Sequence, residues 1–117
     1  MRTAIVCGAL MALGIATAEG AQSFHSANAV LPGCKFLVAG AMGKNLSEAY
    51  DVGFCAGMVS AIVSLTTGPV MCVPSKVTQG QILQVILRYV EARPQRIHEE
   101  FGPLAIEALR DAWPCRN

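Results

Sequence analysis

Residues Cys72 to Pro94 read C-V-P-S-K-V-T-Q-G-Q-I-L-Q-V-I-L-R-Y-V-E-A-R-P, and this stretch carries a full set of helix punctuation. Pro74 and Ser75 keep the approach extended. Thr78 followed three residues later by Gln81 is a capping box, in which a hydroxyl and an amide each satisfy an orphan backbone N–H. Ile82, Val85, Ile86, Tyr89 and Val90 then recur at the spacing of one helical face, and Leu83 with Leu87 adds a second apolar row. Only Gln81, Gln84, Arg88 and Glu91 form a polar strip. Roughly three-quarters of the circumference therefore calls for burial, as in the central helix of a small bundle. Pro94 biases Arg93 away from helical geometry and ends the element.

Working outward, Ser47 is the expected cap of a preceding helix that runs to about Leu65, with Glu48 and Asp51 where the helix dipole favours negative charge. From Val52 to Leu65 that helix has no charged residue. Gly53, Ala56, Gly57 and Ala61 are small positions that allow close approach of a neighbour. Thr66 to Val70 is a short connection marked by Gly68 and Pro69. Before it, Ala39 to Leu46 reads as a turn. Ahead of that turn a first helix is capped by Ser26 and uses Ala27, Val30, Leu31, Cys34, Leu37 and Val38, with a bend at Pro32-Gly33. Beyond Pro94 a fourth helix lines Ile97, Phe101, Leu104, Ala105, Ala108, Leu109 and Ala112 on one face, with a kink or split near Gly102-Pro103. The expected fold class is all-α, a small four-helix bundle.

The N-terminus reads as a secretory signal peptide over residues 1–18: a positive start at Arg2, an apolar run from Thr3 to Ala16, and a small-x-small site at Ala16-Thr17-Ala18. The apolar run is shorter than the ~20 residues a membrane span needs. Cleavage near Ala18 leaves the helical domain as residues 19–117, with Glu19 to Ser26 a polar, frayed start. It removes Arg2 and no acid, so nine basic residues become eight against eight acidic ones. A neutral mature chain with no basic stripe lacks the footprint of a nucleic-acid binder, and nothing in it calls for a membrane once the signal is gone.

Of five cysteines, Cys7 leaves with the signal, and Cys34, Cys55, Cys72 and Cys115 remain. An even count in an exported chain favours two disulfides. In antiparallel hairpins a cross-link joins positions equidistant from the turn. Cys34–Cys55 has its midpoint between Lys44 and Asn45, in a turn, and Cys72–Cys115 between Arg93 and Pro94, at the helix break. The alternatives put a midpoint in the apolar run at Val63 and Ser64, or midpoints at Gly53 and Val85, which read as helical interior. Two disulfide-closed hairpins follow, each loop of about 22 or 44 residues contributing roughly 3–4 kcal/mol.

Catalytic chemistry is hard to assemble from what remains. His25 and His98 have no evident partner in sequence, no C-x-x-C pair offers a metal site, and adjacent Glu99 and Glu100 diverge by about 100° on a helix. No catalytic residue and no cofactor is assigned. The turn Ala92-Arg93-Pro94-Gln95-Arg96 instead presents Arg93, Gln95 and Arg96 at the tip of a rigid hairpin, where arginine favours protein contacts.

Four motifs in this order complete the reading: F-C-A-G-M at Phe54–Met58, C-V-P-x-x-V-T-x-x-Q-I-L at Cys72–Leu83, Y-V-E-x-R-P at Tyr89–Pro94 and A-L-R-D-A-W-P-C at Ala108–Cys115. Together they resemble the Rap/Tai immunity proteins of type VI secretion. The resemblance implies a periplasmic, non-enzymatic helical protein that binds and inhibits a peptidoglycan amidase effector. Cys55, Cys72, Cys115, Pro74, Thr78, Gln81, Pro94 and Pro114 match as structural positions; the effector-contacting residues do not transfer. A periplasmic helical stress protein or holdase is the competing expectation, distinguished by broad binding to unfolded clients. A homodimer is compatible with either.

Overall fold

A computed structural model describes residues 25–116 of the chain. The signal segment, its cleavage site, Cys7 and residues 19–24 lie outside the described residues, as does Asn117. Four α-helices follow in order: α1 (Ala27–Val38), α2 (Leu46–Thr66), α3 (Gln79–Glu91) and α4 (Phe101–Ala112), with a 3-10 turn at Pro94–Arg96 between the last two. α1 packs on α2 and α3 on α4, and α1 also bridges to α3, so two hairpins close around one core. The fold is the expected all-α bundle. Both disulfides form as the turn midpoints require, Cys34–Cys55 with Cα atoms 5.3 Å apart and Cys72–Cys115 with Cα atoms 4.9 Å apart.

α3 begins as its sequence dictates. The Gln81 amide N–H donates to the Thr78 hydroxyl at 3.2 Å, and the Thr78 N–H donates to the Gln81 side-chain oxygen at 2.9 Å. Such a cap is worth about 1 kcal/mol. Ile82, Leu83, Ile86, Leu87 and Val90 are buried, while Val85 and Tyr89 lie half-buried on the flank. The core thus looks down the seam between the two apolar rows. Phe101, Leu104, Ala105, Ala108 and Leu109 of α4 meet them, with Met71 from the α2–α3 connection fully buried beside them.

Three boundaries differ from expectation. α2 is capped by Asn45, not Ser47: its side-chain oxygen accepts the Glu48 N–H at 2.9 Å, and the Glu48 carboxylate accepts the Lys44 N–H at 2.6 Å. This reciprocal pair starts the helix earlier, which moves Asp51 out of the first turn and leaves Glu48 as the acid there. Pro94 opens a single 3-10 turn instead of an α-helix, because the next residues serve another element. The carbonyls of Glu99 and Ile97 accept the N–H groups of Ala27 and Asn28, both at 2.8 Å, and so satisfy the start of α1. α4 therefore begins only at Phe101, where Pro103 lies within the first turn and its missing N–H costs no intrahelical bond. Finally, His25 and Ser26 are held rather than frayed: the His25 carbonyl accepts the Phe101 N–H at 2.8 Å, and its ring stacks on Phe54 at 5.5 Å. Pro32 sits inside the continuous helix α1.

At Gly33 the α1 backbone comes close to the α2 backbone. A Cβ on Gly33 would lie 2.1 Å from the Asp51 carbonyl oxygen, so only glycine fits beside the Cys34–Cys55 link. Elsewhere α2 is weakly enclosed. Only Val52, Cys55 and Val59 are buried in its 21 residues.

Candidate partner-binding surface

Arg93, Gln95 and Arg96 come together on the connection between α3 and α4. Arg93 leaves helical geometry at φ −127° and ψ 62°, as a residue before proline tends to. Its side chain folds back. Nη1 donates to the Tyr89 carbonyl oxygen at 2.9 Å, and the guanidinium carbon lies 3.6 Å from the centroid of the Tyr89 ring, a cation–π contact. Gln95 is exposed at the tip.

Arg96 is gripped by two carboxylates. Nε and Nη2 donate to the two oxygens of Glu99, while Nη1 and Nη2 donate to Glu107 at 2.8 and 3.2 Å. The Tyr89 hydroxyl donates to the same Glu107 at 3.1 Å. The hydrogen bonds from Arg96 hold both carboxyls below the usual carboxylate range, and those bonds, with Glu99 the larger contributor, raise Arg96 well above its ordinary value. All three side chains keep roughly a third of their surface in water, at 31%, 39% and 33%, so solvent screens the pairs and their main effect is orientation.

Beside this network, Tyr89, Glu107, Arg110 and Asp111 line a shallow depression of about 340 Å³. Arginines 93, 96 and 110 alternate with Glu99, Glu107 and Asp111, which gives a charge-balanced, pre-ordered surface. Arg93, Gln95 and Arg96 lie where the sequence places them, at the tip of the second hairpin, and Glu99 and Glu107 join them there. The Arg96–Glu99 spacing of three residues was a usable local signal. Glu107 and Tyr89 carried none, because the α3–α4 packing brings them to Arg96. Among the described residues no group of three or more His, Cys, Asp or Glu could hold a metal ion.

Fold and surface together define a disulfide-closed helical domain with an ordered polar face at the α3–α4 connection. The chain belongs to the family of Rap1a immunity proteins, whose family model matches residues 26–115. It is thus an immunity protein of the Rap/Tai type VI class, and such membership implies an effector protein as partner. No curated protein and no solved structure matches the chain. Its two disulfides suit an oxidising compartment.

Proposed function

We propose that the chain, cleaved near Ala18, is a periplasmic immunity protein that binds a type VI peptidoglycan amidase effector and blocks it sterically, without chemistry of its own. The match to the immunity family over residues 26–115 carries this reading. The charge-balanced face around Arg93, Gln95 and Arg96 is the proposed contact. Arg93 is held against Tyr89 and Arg96 against Glu99 and Glu107, so a partner meets side chains already ordered and loses little of its binding energy to fixing them.

Co-production in the periplasm of a sensitive host tests the reading. Each amidase effector of the native host is expressed with and without the chain, and the cognate effector is expected to lyse cells only when the chain is absent. Lysis by every effector despite the chain contradicts it. Arg93→Ala is the sharper surface probe, because Arg96→Ala also strips two carboxylates of their partner. A hot-spot loss of about 1–3 kcal/mol in effector affinity is expected from Arg93→Ala, and unchanged affinity moves the contact elsewhere.

A further inference from the structure

The fold covers its two disulfides unequally. Cys34 on α1 and Cys55 on α2 are both fully buried in the core. Cys72 and Cys115 lie on non-helical segments, one ahead of α3 and the other beyond the end of α4, and both are exposed. A thiolate from outside reaches the first link only after α1 and α2 separate, whereas it meets the second in the native chain. The surroundings of the exposed link are also held without it. Met71, next to Cys72, is fully buried, and Trp113 packs against the core two residues before Cys115. The Cys72 N–H donates to the Trp113 carbonyl oxygen at 2.9 Å. In the turn after α2 the N–H groups of Val70 and Met71 donate to the Thr66 carbonyl at 3.0 and 3.2 Å, and Gly68 takes a φ of +102°. That turn sets the Gly68 carbonyl oxygen 3.5 Å from the Cys115 Sγ. In the disulfide the sulfur has no proton to give it; in the thiol form it does, since an S–H is a weak donor. An acceptor for reduced Cys115 is therefore already in place.

We infer that Cys72–Cys115 is a thiol–disulfide exchange site for a dithiol protein of the C-x-x-C kind, while Cys34–Cys55 stays closed. The thiolate of the dithiol attacks Sγ of Cys72, because an anion approaching Sγ of Cys115 meets the negative end of the Gly68 carbonyl. A mixed disulfide forms at Cys72, the bond between Cys72 and Cys115 breaks, and Cys115 leaves as a thiolate. It takes a proton from water and donates the resulting S–H to the Gly68 carbonyl. The second thiol of the dithiol protein then attacks its partner sulfur in the mixed disulfide and releases Cys72, which is protonated in turn. Two electrons pass to the chain, the two protons of the dithiol end through water on Cys72 and Cys115, and the reductant becomes a disulfide; the reverse sequence re-forms the link. The exchange loosens the open end of the second hairpin and leaves the Arg93–Arg96 tip and the first hairpin in place. It adjusts the stability of the chain and not its contact surface, and it holds or fails independently of the effector assignment.

Incubation of the oxidised mature chain with dithiothreitol, quenched by iodoacetamide at intervals and read by peptide mass mapping, tests the site. Cys72 and Cys115 are expected to be alkylated together, roughly tenfold or more faster than Cys34 and Cys55, the factor that about 1.4 kcal/mol of opening free energy imposes on a covered link. Helix content by circular dichroism should be unchanged after that first step. Urea below the unfolding transition should speed reduction of Cys34–Cys55 and leave that of Cys72–Cys115 nearly unchanged, since only the covered link waits for opening. A thioredoxin-type dithiol protein whose second active-site cysteine is replaced by alanine should be trapped on the folded chain at Cys72. Reduction of both links at one rate overturns the inference, as does earlier reduction of Cys34–Cys55 or loss of helix content in the first step. Equal acceleration of both links by urea, no trapping on the folded chain, or trapping at a cysteine other than Cys72 overturns it as well.

Discussion

The guanidinium of Arg96 ties three parts of the chain together: the 3-10 turn that carries it, Glu99 in the following connection, and Glu107 on α4. Its consequence is a pH dependence of fixed sign. Because both carboxyls titrate lower in the folded chain than in the unfolded one, the unfolded chain binds more protons in acid. Their contribution to stability is therefore fully present above the ordinary carboxylate range and is lost as pH falls through and below it. Thermal unfolding followed by circular dichroism should show a midpoint that drops on acidification, and Glu107→Gln should flatten that drop. An acid slope unchanged by Glu107→Gln would mean that the Arg96 contacts do not persist in solution.

At the scale of elements, helix starts were legible where the signal was local and misplaced where two candidates competed. Thr78 and Gln81 fixed α3 because the capping box lies within one turn of sequence. Asn45 and Ser47 were both acceptable caps for α2, and the deciding factor was Glu48 reaching back to the Lys44 N–H, which propensity does not reveal. The late start of α4 was hidden for a different reason: residues 97–99 lend their carbonyls to α1, a contact between segments about seventy residues apart in sequence. Gly33 shows the same limit. Its sequence context suggested a bend, whereas its role is to let the α1 and α2 backbones meet at Asp51. Gly33→Ala is expected to destabilise the domain by about 1–3 kcal/mol or more, the cost of overpacking against a backbone that cannot yield. Urea titration measures it, and a neutral substitution there would contradict the close approach. Gly53→Ala, open on all sides, should instead be neutral or stabilising in the isolated chain.

For the whole molecule, the cysteine spacing was the most informative long-range signal, since a hairpin converts equal distance from a turn into spatial contact. Cys72 precedes α3 and Cys115 follows α4, so their link closes the entire second hairpin. Replacing both by serine should lower unfolding free energy by about 3–4 kcal/mol in denaturant titration, and effector binding should weaken only as the folded fraction falls. The α3–α4 tip that this link supports is the proposed effector contact, a role that neither hydrophobic period nor cysteine spacing could specify. The central claim is inhibition by occupancy, and it is tested most directly by turbidity loss of purified peptidoglycan under the cognate amidase with rising amounts of mature chain. Lysis is expected to stop near one chain per amidase, with the peptidoglycan itself left unaltered by the chain alone. Undiminished lysis at a several-fold molar excess over every amidase effector of the host would contradict it.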